Sequence, residues 1–411
     1  MALVEYLALE GGGAKGIIYI GVAEALQKLE LLDGIKAISG ASAGAISALV
    51  LATGWPVQKM KDTLESLDFQ KMASGGVWGN LTAGYHEVKE FGLHNGQAFY
   101  ELFKKIIKEV TGNENCTFEQ WHKFKEEHPQ LKLKDISVQA CNLNTKLNET
   151  FAFNTEHRDV PIADAVRASM AFPGYFTPWK IKGCLYSDGG LQKNLPSDVF
   201  EQAPGQYNPK VLSVKLEAFD QIKFYDKGII PPAKPIRNAF ECAVAQFECA
   251  LNAQDYVFQA SPYKQSTVFC DTIDIGTLQF DLSPDQKEAL AASGEYGVIR
   301  YFYKLDPTIV EGKYDTETLN ALKAADFPIC FSEFIKKYPV PPEIAQDVKV
   351  ASQKEGAHGN VLEFHLPKRH VTPLFHRWCK NNALKAECDR LARLEAEHKH
   401  SKRTLKQAVT L

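Results

Sequence analysis

Short apolar runs and longer amphipathic stretches take turns along the first half of the chain. Val4 to Leu9 is a compact apolar run that ends at glycines, the mark of a buried strand. From Ile17 to Leu32 the period changes. Ile20, Ala23, Leu26 and Leu29 recur at helical spacing and Glu24 with Lys28 makes an i,i+4 pair, which predicts a helix. Ile35 to Ser39 predicts a second strand and Ala45 to Thr53 a second helix. Two neighbouring strands joined through a helix pair in parallel, so the order predicts an α/β sheet. Further along, Ile136 to Asn142, Thr150 to Phe153 and Val211 to Leu216 predict strands, and Ile162 to Met170 a helix. Trp179 to Ser187 predicts a hairpin turning at Lys182-Gly183. Ser283-Pro284-Asp285-Gln286 has the form of a helix start, with Ser as the cap, Pro in the first helical position and Gln in the third.

The C-terminal part differs in character. Tyr338-Pro339-Val340-Pro341-Pro342 breaks the chain, and Leu384, Cys388, Leu391 and Leu394 line one face of a basic helix between Arg377 and Lys406. Such a helix either docks on its own domain with a solvated charged face or meets an anionic membrane or a partner protein.

Composition narrows the classes. With 411 residues and 45% hydrophobic positions, the chain has room for one large domain and a smaller one around a real core. A formal net charge of −3 excludes a global attraction to nucleic acid. The 9 cysteines include no Cys-x-x-Cys pair, which predicts buried free thiols in a reducing compartment, although Cys242 and Cys249 are spaced to share a helix face. Asn80, Asn115 and Asn148 fit Asn-x-Ser/Thr, but Met1 to Glu5 lacks the basic and apolar parts of a secretory leader. The uncharged stretch Ala37 to Val57 reads as a buried strand, turn and helix rather than a membrane span. The expected setting is cytoplasmic, or exported without a signal peptide.

Three clusters can carry chemistry. Gly40-Ala41-Ser42-Ala43-Gly44 is Gly-x-Ser-x-Gly between a predicted strand and a predicted helix. A sharp turn there lifts the serine oxygen clear of the sheet toward a helix N-terminus, and the crowding demands small neighbours. Gly11-Gly12-Gly13 with Lys15 and Gly16 lies between the first strand and helix. Its free N–H groups suit an oxyanion, and the same letters also satisfy a loose dinucleotide-loop pattern. Ser187-Asp188-Gly189-Gly190 places a carboxylate with open backbone around it at a strand end, either as a turn former or as the base that the serine needs.

Taken together these clusters resemble the patatin-like phospholipase family. Glu10 to Gly16 is similar to its oxyanion loop, Gly40 to Gly44 to its serine motif, and Asp188-Gly189-Gly190 to its aspartate motif. Asp164 to Pro173 is similar to its helix and Pro turn, and Asn194 with Pro196 to its Asn-x-Pro. Thr277 to Leu282 and the helix after Ser283 resemble the end of the domain in bacterial members. Glu10 departs from the Asp of plant members.

The resemblance covers residues 1–305 and implies a three-layer α/β/α fold with a mostly parallel sheet. Residues 306–411 then form a second, mainly helical region of unknown role. It also implies a lipid acyl hydrolase of the phospholipase A or lysophospholipase type. Ser42 is its nucleophile, Asp188 its base, and Gly11, Gly12, Gly13 and Ala43 form the oxyanion hole, with no metal or cofactor. The expected partners are a phospholipid or other acyl lipid, a peripheral membrane surface and, for an exported effector, a host protein activator. One rival is a Ser-His-Asp esterase using His358, His365, His370 or His376. The other is an effector that binds through its C-terminal region. Gln70 to Leu93, with Met72, Val77, Trp78, Tyr85 and Phe91, reads either as an apolar flap at a lipid surface or as a loop packed on the core.

Overall fold

A computed structural model describes residues 4–65, 92–233, 235–237, 239–316, 319, 320 and 323. The Gln70 to Leu93 stretch falls almost wholly outside these residues, as do the four rival histidines and the basic helix of the C-terminal part.

In chain order the main elements are β1 (Tyr6–Leu9), α1 (Ile18–Lys28), β2 (Ala37–Ala41), α2 (Ala43–Ala52), α3 (Val57–Glu65), β3 (Gly92–His94), α4 (Gln97–Thr111) and α5 (Phe118–Glu127). There follow β4 (Asp135–Asn142), β5 (Leu147–Phe151), α6 (Ile162–Ser169), β6 (Gly174–Phe176), β7 (Trp179–Ile181) and β8 (Cys184–Asp188). The described part closes with β9 (Val211–Glu217), α7 (Phe219–Lys227), α8 (Ala239–Ala260), β10 (Thr267–Asp271) and α9 (Pro284–Leu305).

Strands β10, β9, β1, β2 and β4 lie side by side in parallel, as crossover helices require. Beyond β4 the sheet turns antiparallel through β8 and β7, the predicted hairpin, while β5 also pairs with β4. All 8 residues of β4 are buried. Alternate side chains of a strand face opposite ways, so helices must cover the sheet on both faces, giving the expected three layers. α9 starts as predicted. Ser283 Oγ accepts the Gln286 N–H at 3.2 Å and Gln286 Oε1 accepts the Ser283 N–H at 2.9 Å.

Several boundaries differ from the sequence reading. The helix predicted to Leu32 ends at Lys28, because Glu30 takes a left-handed φ of 59°. The Leu31 N–H then reaches back to the Leu26 carbonyl (2.8 Å) and the Glu30 N–H to Gln27 (2.9 Å), a closure that caps a helix C-terminus. The core does not stop at residue 305. Val310, Tyr314 and Leu319 are buried in the same apolar cluster as α1 and α9. Helices α3, α4, α5, α7 and α8 and strands β3, β6 and β10 were not foreseen. The signal for α5 was present in Thr117 and Gln120, which make a second reciprocal cap. The six described cysteines are free. Cys116, Cys141 and Cys270 are buried as expected, but Cys249 is exposed. Among the described residues no helix is long and apolar enough to cross a membrane, and Ala37–Ala52 is strand and helix, as read.

Candidate active site

The carboxyl ends of the parallel strands carry the site, where an open α/β sheet offers a crevice. Ser42 directly follows β2 and occupies a strained backbone position, φ 52° and ψ −123°, before α2 begins at Ala43. The turn is possible only because its flanks lack side chains. A Cβ on Gly40 would lie 2.2 Å from the Gly44 carbonyl oxygen, and one on Gly44 would lie 2.3 Å from that of Leu9. The Ser42 N–H is held by Ser169 Oγ (2.9 Å), a buried hydroxyl at the end of α6 whose role the sequence does not reveal. The serine itself is half-buried and opens into a cleft of about 630 Å³.

Strand register brings Asp188 to it. Ala41 pairs with Gln139, and Ala140 pairs with Asp188. Ser42 therefore stands on the same rung as Asp188 with only β4 between, roughly 10 Å apart along the backbone at the usual strand spacing, so two side chains can meet over the middle strand. The Asp188 N–H and the Ser187 hydroxyl both donate to the Ala171 carbonyl (3.0 and 2.8 Å), which anchors the strand end to the turn after α6.

Asp188 is buried. Burial pushes its carboxyl up to about 6, against the Ser42 hydroxyl and the Gly190 N–H, which both favour the charged form. Gly190 donates to Oδ1 at 2.8 Å. Oδ2 has no full hydrogen bond, so the contact with Ser42 is looser than a standard one and leaves this oxygen free to take a proton.

The glycine loop lies against the serine and lines the same cleft. Gly13 has φ 57°, and a Cβ there would lie 2.1 Å from the Thr277 carbonyl oxygen, which also accepts the Ala14 N–H (3.0 Å). This position needs glycine for both reasons. The four expected oxyanion donors are not equivalent. The Gly11 N–H is already donated to the Asn194 carbonyl (3.1 Å), so Gly11 acts as an anchor of the loop. The N–H groups of Gly12, Gly13 and Ala43 have no acceptor among the described residues, and Ala43 opens a helix whose dipole favours negative charge. Gly16 packs against Ala43, Gly189 turns over Gln139 of β4, and Lys15 lines the cleft.

The largest surprise is Glu10, which the sequence marks only as the start of the glycine loop and a departure from the Asp of plant members. Lys215, buried in β9, places its ammonium 2.6 Å from Glu10 Oε1, 2.7 Å from Glu217 and 2.9 Å from Asp255 of α8. The Leu216 N–H donates to Glu10 Oε2 at 2.6 Å. Burial alone would pull the Lys215 ammonium down, but the three carboxylates outweigh it and hold it well above its ordinary range. Burial, with Glu217 and Asp255 nearby, pushes the Glu10 carboxyl up despite Lys215, because one ammonium cannot balance three acids. These carboxylates form the described group with ligand spacing for a metal, and a lysine occupies its centre. Gln254 also lay beyond sequence reasoning. It bridges the Asn194 N–H and the Gly190 carbonyl, both at 2.8 Å. Among the described residues no histidine lines the cleft.

Residues 7–200 match the family model of patatin-like phospholipases. An uncharacterized protein of Acanthamoeba polyphaga mimivirus is 27% identical over 305 residues, covering 74% of this chain and 95% of the viral one. The cGAMP-activated phospholipase of Escherichia coli (strain TW11681) is 27% identical over 215 residues, covering 47% of this chain and 54% of the relative. The crystal structure of VipD from Legionella pneumophila aligns with a TM-score of 0.49 at 20% identity, covering 74% of this chain and 67% of that one. The family match and the phospholipase relative support a lipid hydrolase.

Proposed function

With residues 7–200 belonging to the patatin-like phospholipase family, we propose that the protein cleaves acyl esters of lipids through Ser42 and Asp188. The observation that carries this is the shared rung: a strained, half-buried serine faces a buried carboxylate that lacks a cation among the described residues and keeps one oxygen free. In this reading Ser42 Oγ attacks the ester carbonyl while Asp188 Oδ2 takes its proton. The negative charge that develops on the carbonyl oxygen faces the N–H groups of Gly12, Gly13 and Ala43. As the C–O bond breaks, the protonated Asp188 returns the proton to the departing alcohol, leaving Ser42 acylated. Asp188 then accepts a proton from water, which attacks the acyl carbon, and passes it back to Ser42 as the fatty acid leaves. Burial serves this cycle, because a carboxylate with an ordinary pKa is a weak base for a hydroxyl.

The test is fatty-acid release from mixed phospholipid vesicles by wild type, Ser42→Ala and Asp188→Asn, with and without a eukaryotic cell extract. Both variants are expected to lose at least about 10³-fold in rate. Release that survives in either variant would remove the pair from the mechanism. Release only with extract would add a protein activator. No release under any condition would turn attention to another acyl ester or to a binding role.

A further inference from the structure

We propose that Gln254, on a helix beyond residues 7–200, is a positioning residue that braces the loop from Asp188 to Asn194 and, through Asn194, the glycine loop. The proposal rests on the reading of Ser42 and Asp188 as the reacting pair.

The glycine loop follows β1 and the Asp188 turn follows β8, so no local element holds one against the other. The link is a chain of hydrogen bonds. Asn194 clips Gly11 twice: its carbonyl accepts the Gly11 N–H at 3.1 Å and its side-chain amide donates to the Gly11 carbonyl at 3.3 Å. That amide also lies 3.3 Å from Glu10 Oε1. The single carboxamide of Gln254 extends the clip. Its oxygen accepts the Asn194 N–H at 2.8 Å, and its nitrogen donates to the Gly190 carbonyl at 2.8 Å. Gly190 in turn donates its own N–H to Asp188 Oδ1 at 2.8 Å. A continuous path therefore runs from the Asp188 carboxylate through Gly190, Gln254 and Asn194 to the glycine loop.

The side chain is specific to the task. One planar amide satisfies an acceptor and a donor four residues apart in the loop after β8, the Gly190 carbonyl and the Asn194 N–H, and no other side chain of that length offers both. The grip is local as well. The next residue, Asp255, holds the Lys215 ammonium that holds Glu10, whereas the two after it, Tyr256 and Val257, are exposed. Two neighbouring polar side chains of α8, Gln254 and Asp255, thus reach these loops.

The test uses the full chain and a soluble ester, p-nitrophenyl butyrate. Gln254→Met removes both hydrogen bonds at nearly constant length, and Gln254→Glu keeps the acceptor but loses the donor. Tyr256→Ser is the control on the same helix. Gln254→Met is expected to lower kcat by about 10- to 100-fold, the scale of a small misplacement of reacting groups, while KM shifts by less than about threefold. Its Tm is expected to stay within a few °C of wild type. Gln254→Glu is expected to fall between the two, with an altered acid limb of the pH–rate profile because Gly190 also binds Asp188. Tyr256→Ser is expected to match wild type. The proposal is overturned if both Gln254 variants keep wild-type kcat, or if their losses track only the fraction of folded protein. A wild-type chain that hydrolyses no ester would instead overturn the Ser42–Asp188 reading, and this proposal with it.

Discussion

Glu10, just past β1, and Asp188, the last residue of β8, are both buried carboxylates at strand ends of the same sheet, and both line the same cleft, yet their surroundings suit them to opposite tasks. Glu10 meets an ammonium at 2.6 Å and a backbone N–H at 2.6 Å, so both its oxygens are bound. Asp188 meets one backbone N–H and a hydroxyl, with no cation among the described residues and one oxygen free. A buried charge that is paired and hydrogen-bonded is a strut, and removing its partner is costly. A buried carboxylate without a cation is held back from ionising, which makes it a stronger base once ionised. Burial alone does not tell a structural acid from a chemical one; the partner does.

That contrast can be broken at four points. The largest expected effect is on the strut. Lys215→Met leaves Glu10, Glu217 and Asp255 facing one another, and urea unfolding at neutral pH is expected to show a loss of about 3–5 kcal/mol. The loss should shrink as the acids protonate at lower pH. Unchanged stability would mean that the cage does no structural work.

The opposite sign is expected at Asp188. Its folded pKa of about 6 lies above the ordinary 3.8, so the folded state binds the proton more tightly than the unfolded chain. The strain is absent below the unfolded value, grows between pH 3.8 and about 6, and is constant above that. Asp188→Asn is therefore expected to be more stable than wild type at pH 7, by up to about 3 kcal/mol, at the same time as it loses activity. A destabilised Asp188→Asn would place Asp188 among the struts.

The same titration sets the rate. If Asp188 must be ionised to accept a proton, kcat/KM should fall on the acid side with a midpoint at about pH 6. A profile flat from about pH 4 to 8 would exclude it as the base. The smallest effects are expected at the rival histidines. His358→Ala, His365→Ala, His370→Ala and His376→Ala should each stay within about twofold of wild type, and loss of activity at a single one would replace the pair by a triad.

Much of this site can be read in the sequence where the chemistry is local. The elbow around Ser42 is a matter of adjacent small residues, since Gly40 and Gly44 must let the turn close on itself. The glycine loop is visible for the same reason. Lys215 could have been noticed too, as a charge inside the apolar run Val211-Leu212-Ser213-Val214-Lys215-Leu216 with no helical partner nearby. Its meaning was not readable, because its three acids come from the loop after β1, its own strand and α8. Gln254 carried no signal at all. A glutamine on a helix looks the same whether it faces solvent or staples a distant loop.

The parallel α/β order, the strained serine turn and the need for glycine beside it follow from periodicity and residue size, which act between neighbours and so are present in the linear chain. The pairing of Ser42 with Asp188 depends on the register of β2, β4 and β8. The choice of which N–H groups remain for an oxyanion depends on Asn194 reaching Gly11. The division of labour between Glu10 and Asp188 depends on where one lysine is buried. These are long-range contacts and desolvation, and neither exists until the sheet has assembled.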